Sequence, residues 1–366
     1  MKEILFTAIP LNAGIGDQTD QISILYALGK ACEYKYVHTP FTCDRSTLGS
    51  LITRKLARHV KYLRKSSSQL IEFLGLNRHE LTITDNTFQE HKILDINLYE
   101  LLQRNNIFTI ADFKKCIGTA PIYKHTIYSF VWTPKMYLLK HKIQSLIDST
   151  KIDRNRLQFN FNEKYWQAKK HLSVALPWDE NKIKVAVHIR KGDTACVRLD
   201  RKIIDAWRLQ YIDNINDSKY QHTDISEYYF FVREIFNRYG ADKFSVVLIS
   251  DGYKRTFRRI KTAMLQCKLN IYDLPQLKII ERKYYEELEM FDKHPNISTI
   301  IGESEDKLFK SIHAVVCADI VVTGSFGFAW RMQKFREADN PALAIDVNKY
   351  NDETFDSIES AILNKV

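Results

Sequence analysis

The apolar and polar positions change period along the chain in a repeating way. EILFTAIP (3–10) is a short apolar stretch that reads as a strand. A small-residue turn follows, and DQTDQISILYALGKAC (17–32) then carries Ile22, Leu25, Tyr26 and Leu28 at helical spacing. KYVHT (35–39) reads as extended again, so the first segment has the strand, glycine turn, helix and strand of a βαβ unit. Residues 50–170 are patterned as charged helices without evident chemistry. The alternation restarts at KIKVAVHIRKGD (182–193), a β-branched strand that runs into a polar loop. Helices are expected over 200–216 and 225–239, a strand at FSVVLISDG (244–252), a helix over 253–267 and a strand at LKII (277–280). Beyond these, 306–318 reads as helix, DIVVTGSFG (319–327) as strand and turn, 328–335 as helix and ALAIDV (342–347) as strand. Repeated strand–helix alternation predicts an α/β fold whose mostly parallel sheets are covered on both faces. PWDENK (177–182) interrupts the pattern, so two Rossmann-like domains facing a cleft are expected, over 1–180 and 181–366.

Length and composition narrow the class. A chain of 366 residues is long enough for two domains with a dry core each. It is 45% hydrophobic and 27% charged, close to the globular average, which excludes a disordered, collagen-like or disulfide-scaffold chain. No apolar run approaches the roughly 18 residues needed to span a bilayer. MKEILFTAIPLNAGIGD turns polar and glycine-rich too early for a secretory leader. Six cysteines stand far apart without a CxxC pair, so neither a disulfide framework nor a zinc module is read, and a reducing, cytoplasmic setting is expected. Cys317, inside AVVCADIVV, is expected to be a small buried hydrophobe rather than a nucleophile.

Charge points to partners. Fifty-four Lys and Arg against 44 Asp and Glu give +10, which favours phosphorylated ligands, nucleic acid or the acidic face of a membrane without choosing among them. The cations gather moderately at 54–65, 254–262 and 331–336, a pattern equally suited to a solvated surface and to a polyanion groove.

Four segments carry candidate chemistry, each at the end of an expected strand, where ligands bind in open α/β sheets. In VAVHIRKGDT (185–194), strand alternation puts His188 and Arg190 on one face, and Lys191, Gly192 and Asp193 enter the loop. The fork of Arg190 and the mobile charge of Lys191 suit a diphosphate, and Gly192 and Asp193 suit an unusual turn; an ion pair closing the strand end is the bland alternative. In VVTGSFGFAWR (321–331), Gly324, Ser325 and Gly327 suit a phosphate held at a helix N-terminus, where Ser325 serves equally well as an N-cap. In LISDG (248–252), Asp251 suits a ribose or sugar hydroxyl. The turn AGIGDQTDQ (13–21) lacks both the full GxGxxG and the P-loop GK[ST], so NAD and ATP motifs are not supported, and there is no HExxH or GxSxG.

His-Ile-Arg-Lys-Gly-Asp resembles the HxRxGD/HxRRxD signature of the GDP-fucose-dependent fucosyltransferases, a superfamily that spans α1,2, α1,6 and protein O-fucosyltransferases. The order of motifs is also similar: a Gly14-x-Gly16-Asp17-Gln18 turn, the HxR strand, a strand ending at Asp251, and ADIVVTGSFGFAW. The resemblance covers roughly residues 10–30 and 183–335. It implies a two-Rossmann GT-B fold with an N-terminal acceptor domain and a C-terminal donor domain. It further implies an inverting, metal-independent transfer of fucose from GDP-fucose to a glycan or glycoconjugate, with no cofactor. Arg190 would contact the β-phosphate, His188 would lie near the nucleotide, and Ser325 with Phe326 would hold phosphate and base. Asp17 and Asp193 are the candidate general bases, each equally at home as a turn-forming side chain. Two departures are visible: Lys191 replaces the second arginine, and Ser311 stands where the α1,6 branch grips guanine with an acid, leaving Asp306 or Asp319 as substitutes. The alternatives are a glycosyltransferase using another nucleotide sugar and a non-catalytic polyanion-binding protein. Expected partners are a nucleotide-sugar donor, a glycan acceptor and an acidic membrane surface on its inner face, and no specific nucleic acid. Tyr36, Trp132, Trp166, Trp207 and Trp330 are candidates for stacking on sugar rings or for the core.

Overall fold

The computed structural model describes residues 4–10, 15–39, 65–76, 81, 91–103, 106–118, 126–190, 195–215, 223–302, 304–324, 327–337 and 339–363. The chain falls into two compact units, Met1–Ser173 and Val174–Val366, each an α/β unit built on a parallel sheet.

In the first unit, β1 (Leu5–Ile9), β2 (Lys35–Tyr36), β3 (Lys92–Ile96) and β4 (Thr126–Val131) pair in the order β2-β1-β4-β3, every pair parallel. The helices are α1 (Ile15–Ala31), α2 (Lys65–Leu74), α3 (Leu98–Gln103), α4 (Ile110–Gly118), α5 (Lys140–Asp148), α6 (Arg154–Leu157) and α7 (Phe161–Lys169). Ile22, Leu25 and Leu28 are fully buried, as the 3.6-residue period requires of a helix lying on a sheet. The approach is close: a Cβ at Gly29 would stand 2.2 Å from the Phe6 ring, so a side chain there would push α1 off β1. Phe6 packs on Tyr36 and Phe130 with ring centroids 5.3 and 5.5 Å apart, and Tyr36 is core rather than a sugar platform.

The second unit holds β5 (Ile183–Ile189), β6 (Cys196–Arg198), β7 (Ile203–Asp205), β8 (Gln210–Ile212), α8 (Ile225–Tyr239), β9 (Phe244–Ser250), α9 (Lys254–Leu265), α10 (Leu274–Asp292), β10 (Ile297–Ile301), α11 (Glu305–Cys317), β11 (Ile320–Thr323), α12 (Phe328–Met332), β12 (Leu343–Asp346) and α13 (Asp352–Leu363). Five of its strands pair in parallel in the order β10-β9-β5-β11-β12, which places β5 in the middle. Six of its seven residues are buried, the run of apolar side chains a strand needs when helices cover both sheet faces. Ile183, Val185, Val187 and Ile189 point into the main core with Phe231 and Phe257, and alternation leaves His188 on the other face.

The stretch 50–170, expected as charged helices, contains β3 and β4, β10 lies where no strand was expected, and two further segments change type. The described residues of the expected helix 200–216, which are 200–215, hold no α-helix; β6, β7 and β8 form a small antiparallel sheet instead. The β-branched pair Ile203–Ile204 favours strand, and the Asp205 carboxylate accepts from the N–H groups of Trp207 and Arg208 at 2.8 and 3.1 Å, closing a turn that a continuing helix would not allow. LKII (277–280) is not a strand but part of α10, a helix entered through Pro275 in its first turn. Leu277, Leu288 and Phe291 are buried at separations of three and four helical turns, and Arg282 bonds Glu286 at 2.9 Å one turn on.

Candidate functional site

Strand order decides where the flagged segments meet. Along the second sheet the chain runs outward from β5 through β9 to β10, then returns to the other side of β5 for β11 and β12. The direction of strand order therefore reverses between β5 and β11, and at such a switch the loops beyond the carboxyl ends part to leave a crevice. The register puts His188 level with Thr323 on one side and Ile249 on the other, and Ile189 level with Ser250. Arg190, Asp251 and Gly324, separated by up to 134 residues of sequence, are thus each the first residue beyond one of three adjacent strand ends.

His188 is buried, and its Nδ1 is buried without a hydrogen-bond partner. Burial first, and the Arg190 charge second, pull its pKa down from 6.5 to about 3, so the imidazole is neutral at physiological pH. Its ring lies 5.3 Å from that of Phe328, the first residue of α12. The positive charge at this strand end is consequently that of Arg190, half-buried, rather than of the histidine.

On the neighbouring strand end, Ser250 is buried; its hydroxyl accepts from Gly252 N–H at 3.0 Å and its carbonyl from Gly302 N–H at 2.9 Å. These bonds turn the chain away sharply and leave Asp251 half-exposed at the edge.

Gly324 is gripped from outside its own segment. Its carbonyl accepts from Asn348 Nδ2 at 2.8 Å and from Thr223 Oγ1 at 3.2 Å, and Asn348 Nδ2 also donates to Asp346 Oδ1 at 3.0 Å. A Cβ at position 324 would stand 2.2 Å from Thr223 Oγ1 and 2.3 Å from the Tyr228 hydroxyl, so no side chain fits. Burial raises the Tyr228 phenol to about 12, with hydrogen bonds from Thr223 and the Gly324 backbone pulling the other way. Thr223, Tyr228 and Asn348 were not visible as site residues in the sequence. They lie 101, 96 and 24 positions from Gly324, and no local motif marks them.

Lys191, Gly192, Asp193, Ser325, Phe326 and Gly14 lie outside the described residues. Of the guanine-gripping substitutes, Asp319 is at the wrong end of the sheet. It starts β11 at the amino edge, where its carboxylate accepts from Lys184 N–H at 2.7 Å and its own N–H donates to the Lys184 carbonyl. Ser311 sits within α11, its hydroxyl donating to the Lys307 carbonyl at 2.6 Å. Asp306, in the first turn of α11 after the carboxyl end of β10, stays on the edge of interest and pairs with Lys310 at 2.9 Å.

The basic cluster 331–336 is not a uniform surface. Arg336 is buried and donates from Nη1 to the carbonyls of Val316 and Ala318 at 2.8 and 2.5 Å, and from Nε to Asn340 at 3.0 Å. It closes the C-terminus of α11, where the macrodipole favours a cation. Cys317, in the last turn of that helix, has its thiol pushed up to about 11 by burial, the state of a structural rather than nucleophilic cysteine.

In the first unit, Gly16, Asp17 and Gln18 occupy the first turn of α1, which follows the carboxyl end of β1. Gly16 and Gln18 are buried, Asp17 is half-exposed, and Thr19 Oγ1 donates to the Gly16 carbonyl at 2.8 Å. Gln21 Nε2 donates to the Tyr137 hydroxyl at 3.0 Å beyond β4. Among the described residues no group of three or more His, Cys, Asp or Glu is placed to hold a metal, and no helix is long and apolar enough to cross a membrane.

No protein-family model matches the chain, and no curated protein matches it by sequence. Among solved structures it is similar to POFUT1 in complex with GDP, at 12% identity over 93% of this chain and 97% of that one, with a TM-score of 0.39. It is similar to a mutant of Arabidopsis thaliana FUT1 in complex with GDP, at 12% identity over 91% of this chain and 69% of that one, with a TM-score of 0.33. POFUT1 in complex with GDP-fucose matches at 12% identity over 94% and 98%, with a TM-score of 0.35. Overlap at this level transfers no residue's role.

Proposed function

We propose that the chain is an inverting glycosyltransferase that moves fucose from GDP-fucose to a hydroxyl of a glycan or glycoconjugate. The observation that carries the reading is the meeting of Arg190, Asp251 and Gly324 on adjacent strand ends beside the switch between β5 and β11. A guanidinium, a half-exposed carboxylate and a clamped glycine turn are the groups a sugar diphosphate calls for. The fucose and guanine assignments rest on the HxRxGD resemblance.

In this scheme the acceptor oxygen forms a bond to the anomeric carbon as the bond from that carbon to the diphosphate oxygen breaks. The electron pair leaves with GDP, and the acceptor proton passes to a carboxylate, Asp17 or Asp193. Negative charge grows on the departing phosphate, and Arg190 is the fixed cation that meets it, so its interaction is stronger in the transition state than in the ground state. Neutral His188 contributes hydrogen bonding and orientation. Lys191 and the Gly192 turn extend the phosphate contacts, Ser325 and Phe326 hold phosphate and base, and Asp251 takes a ribose or sugar hydroxyl. Residues 181–366 form the donor domain and 1–180 the acceptor domain, with Gly14, Gly16 and Gln18 at the acceptor end. No divalent metal is needed, because the arginine supplies the charge. The setting is cytoplasmic; Cys32, Cys116, Cys196, Cys267 and Cys317 are free thiols, in keeping with a reducing compartment.

Arg190→Ala should lower GDP release from GDP-fucose by about 10²–10³-fold, the usual loss for one oriented charge-stabilising donor, with melting temperature unchanged. Arg190→Lys should recover part of the rate. Full activity in Arg190→Ala would overturn the proposal, and calorimetry showing tighter binding of UDP than of GDP would replace the donor.

A further inference from the structure

The β6–β8 sheet, α9 and the 3-10 turn Ile271–Asp273 form one continuous surface of the second unit, tied together by specific bonds. Arg259 Nη2 donates to the Trp207 carbonyl at 3.1 Å, and its guanidinium sits 5.7 Å from the Trp207 ring centroid. Asp273 accepts from Lys202 Nζ at 3.3 Å and from the Tyr211 hydroxyl at 2.6 Å, and Asn270 N–H donates to Tyr211 at 2.9 Å. The surface follows on from the carboxyl edge of β9 but does not include its site residues.

Two features of this surface are unexplained by stability. The first is charge. Residues 254–268 carry Lys254, Arg255, Arg258, Arg259, Lys261 and Lys268 and no acidic residue. Two of these cations stand in the first turn of α9, where the macrodipole favours acids, and the helix has no side-chain N-cap. Lys261 is taken up by Glu281 of α10 at 2.5 Å, while Lys254 and Arg258 are exposed. The second is exposed apolar bulk beside those cations: Trp207 is 39% exposed, Leu265 73%, Ile271 41% and Tyr272 86%. The buried side of α9 is formed by Phe257, Ile260, Ala263 and Met264, which leaves Leu265 outside the core.

Cations interleaved with a tryptophan, a tyrosine and aliphatic tips match an anionic lipid surface. The headgroups take the Lys and Arg charges, and the amphipathic rings and aliphatic ends enter the interfacial layer. We infer that this face docks peripherally on a membrane rich in anionic lipid. Single-stranded nucleic acid fits less well, since it binds through successive aromatic platforms along a groove, whereas the cations here lie along a helix and the aliphatic Leu265 and Ile271 have no stacking role. The inference is independent of the nucleotide-sugar assignment, because none of its residues belongs to that site.

Full-length protein should co-sediment with vesicles of phosphatidylcholine and phosphatidylglycerol and not with vesicles of phosphatidylcholine alone, and added salt should release it. Lys254→Gln with Arg258→Gln should weaken partitioning about 25-fold, from roughly fivefold per surface cation. Arg154→Gln with Arg156→Gln, an equal loss of charge on α6 of the other unit, should change it less than twofold. Trp207 should be quenched by brominated lipid in the wild type, and Trp207→Phe, which keeps a ring against Arg259, should lose that quenching with little change in melting temperature. Equal binding to both vesicle types would overturn the inference. So would equal weakening by the α6 pair, or binding to a single-stranded oligonucleotide that depends on Lys254 and Arg258 while vesicles are ignored.

Discussion

Gly324→Ala tests the clamp that holds the loop after β11. The added methyl would lie 2.2 Å from Thr223 Oγ1, 2.3 Å from the Tyr228 hydroxyl and 2.7 Å from Thr223 Cβ. Both neighbours are buried, so neither side chain can swing into solvent. Overpacking of this kind costs about 1–3 kcal/mol. If the loop moves to relieve it, the Gly324 carbonyl leaves Asn348 Nδ2 and Thr223 Oγ1, at about 1 kcal/mol for each bond. Whichever way the site responds, the expected destabilisation is about 1–3 kcal/mol, read as a fall in the urea midpoint at unchanged slope. Thr223→Ala with Tyr228→Phe removes both clashing oxygens. In that background Gly324→Ala should cost at least about 1 kcal/mol less, a coupling that independent sites would not show. Titration with GDP should weaken in Gly324→Ala and recover in the triple variant. Stability of Gly324→Ala within about 0.5 kcal/mol of wild type, the usual range for surface substitutions, would refute the geometry from which the clamp is derived.

Acid should destabilise the protein through two histidines. His38 and His188, one in each unit, are buried with pKa values pulled from 6.5 to about 3, His38 by burial and the Lys164 charge. Since both folded values lie below the unfolded one, their contribution is fully present above pH 6.5 and is lost as pH falls toward 3. The loss is about 1.4 kcal/mol per pH unit for each histidine, and His188→Gln should remove its share of that slope in urea titrations; an unchanged slope would contradict the burial of a neutral ring. Arg336→Met should cost about 3 kcal/mol or more, because it leaves the buried carbonyls of Val316 and Ala318 unpaired, and Arg336→Lys should restore only part of the melting temperature. An unchanged melting temperature in Arg336→Met would mean that the C-terminus of α11 has another cap.

Much of the second sheet was legible because its signals are local. The β-branched run of β5, the all-buried β9 and the period of α8 each announce themselves within seven to fifteen residues. The errors came where local signals compete. Over 200–216, apolar residues at helical spacing were outweighed by a carboxylate, Asp205, that folds a hairpin turn on itself. At 277–280 a β-branched run was too short to outweigh the long helix around it. The three residues that grip Gly324 were invisible for another reason: Thr223 and Asn348 are ordinary polar side chains whose meaning arises only from their bond to a distant carbonyl.

The amino-acid sequence alone decided the strands β1, β5, β9, β11 and β12 and the helices α1 and α8, where those strands run out into turns, and that an arginine stands at the end of a buried strand. Side-chain periodicity and turn chemistry act over a few residues, so they are written in the chain itself. Only the tertiary structure decided that β5 lies between β9 and β11, because parallel pairing joins segments about 60 and 135 residues apart through backbone bonds that carry no residue code. That same pairing brought Arg190, Asp251 and Gly324 to one edge, sent Asp319 to the opposite one, and turned Arg336 from an apparent surface charge into a buried helix cap.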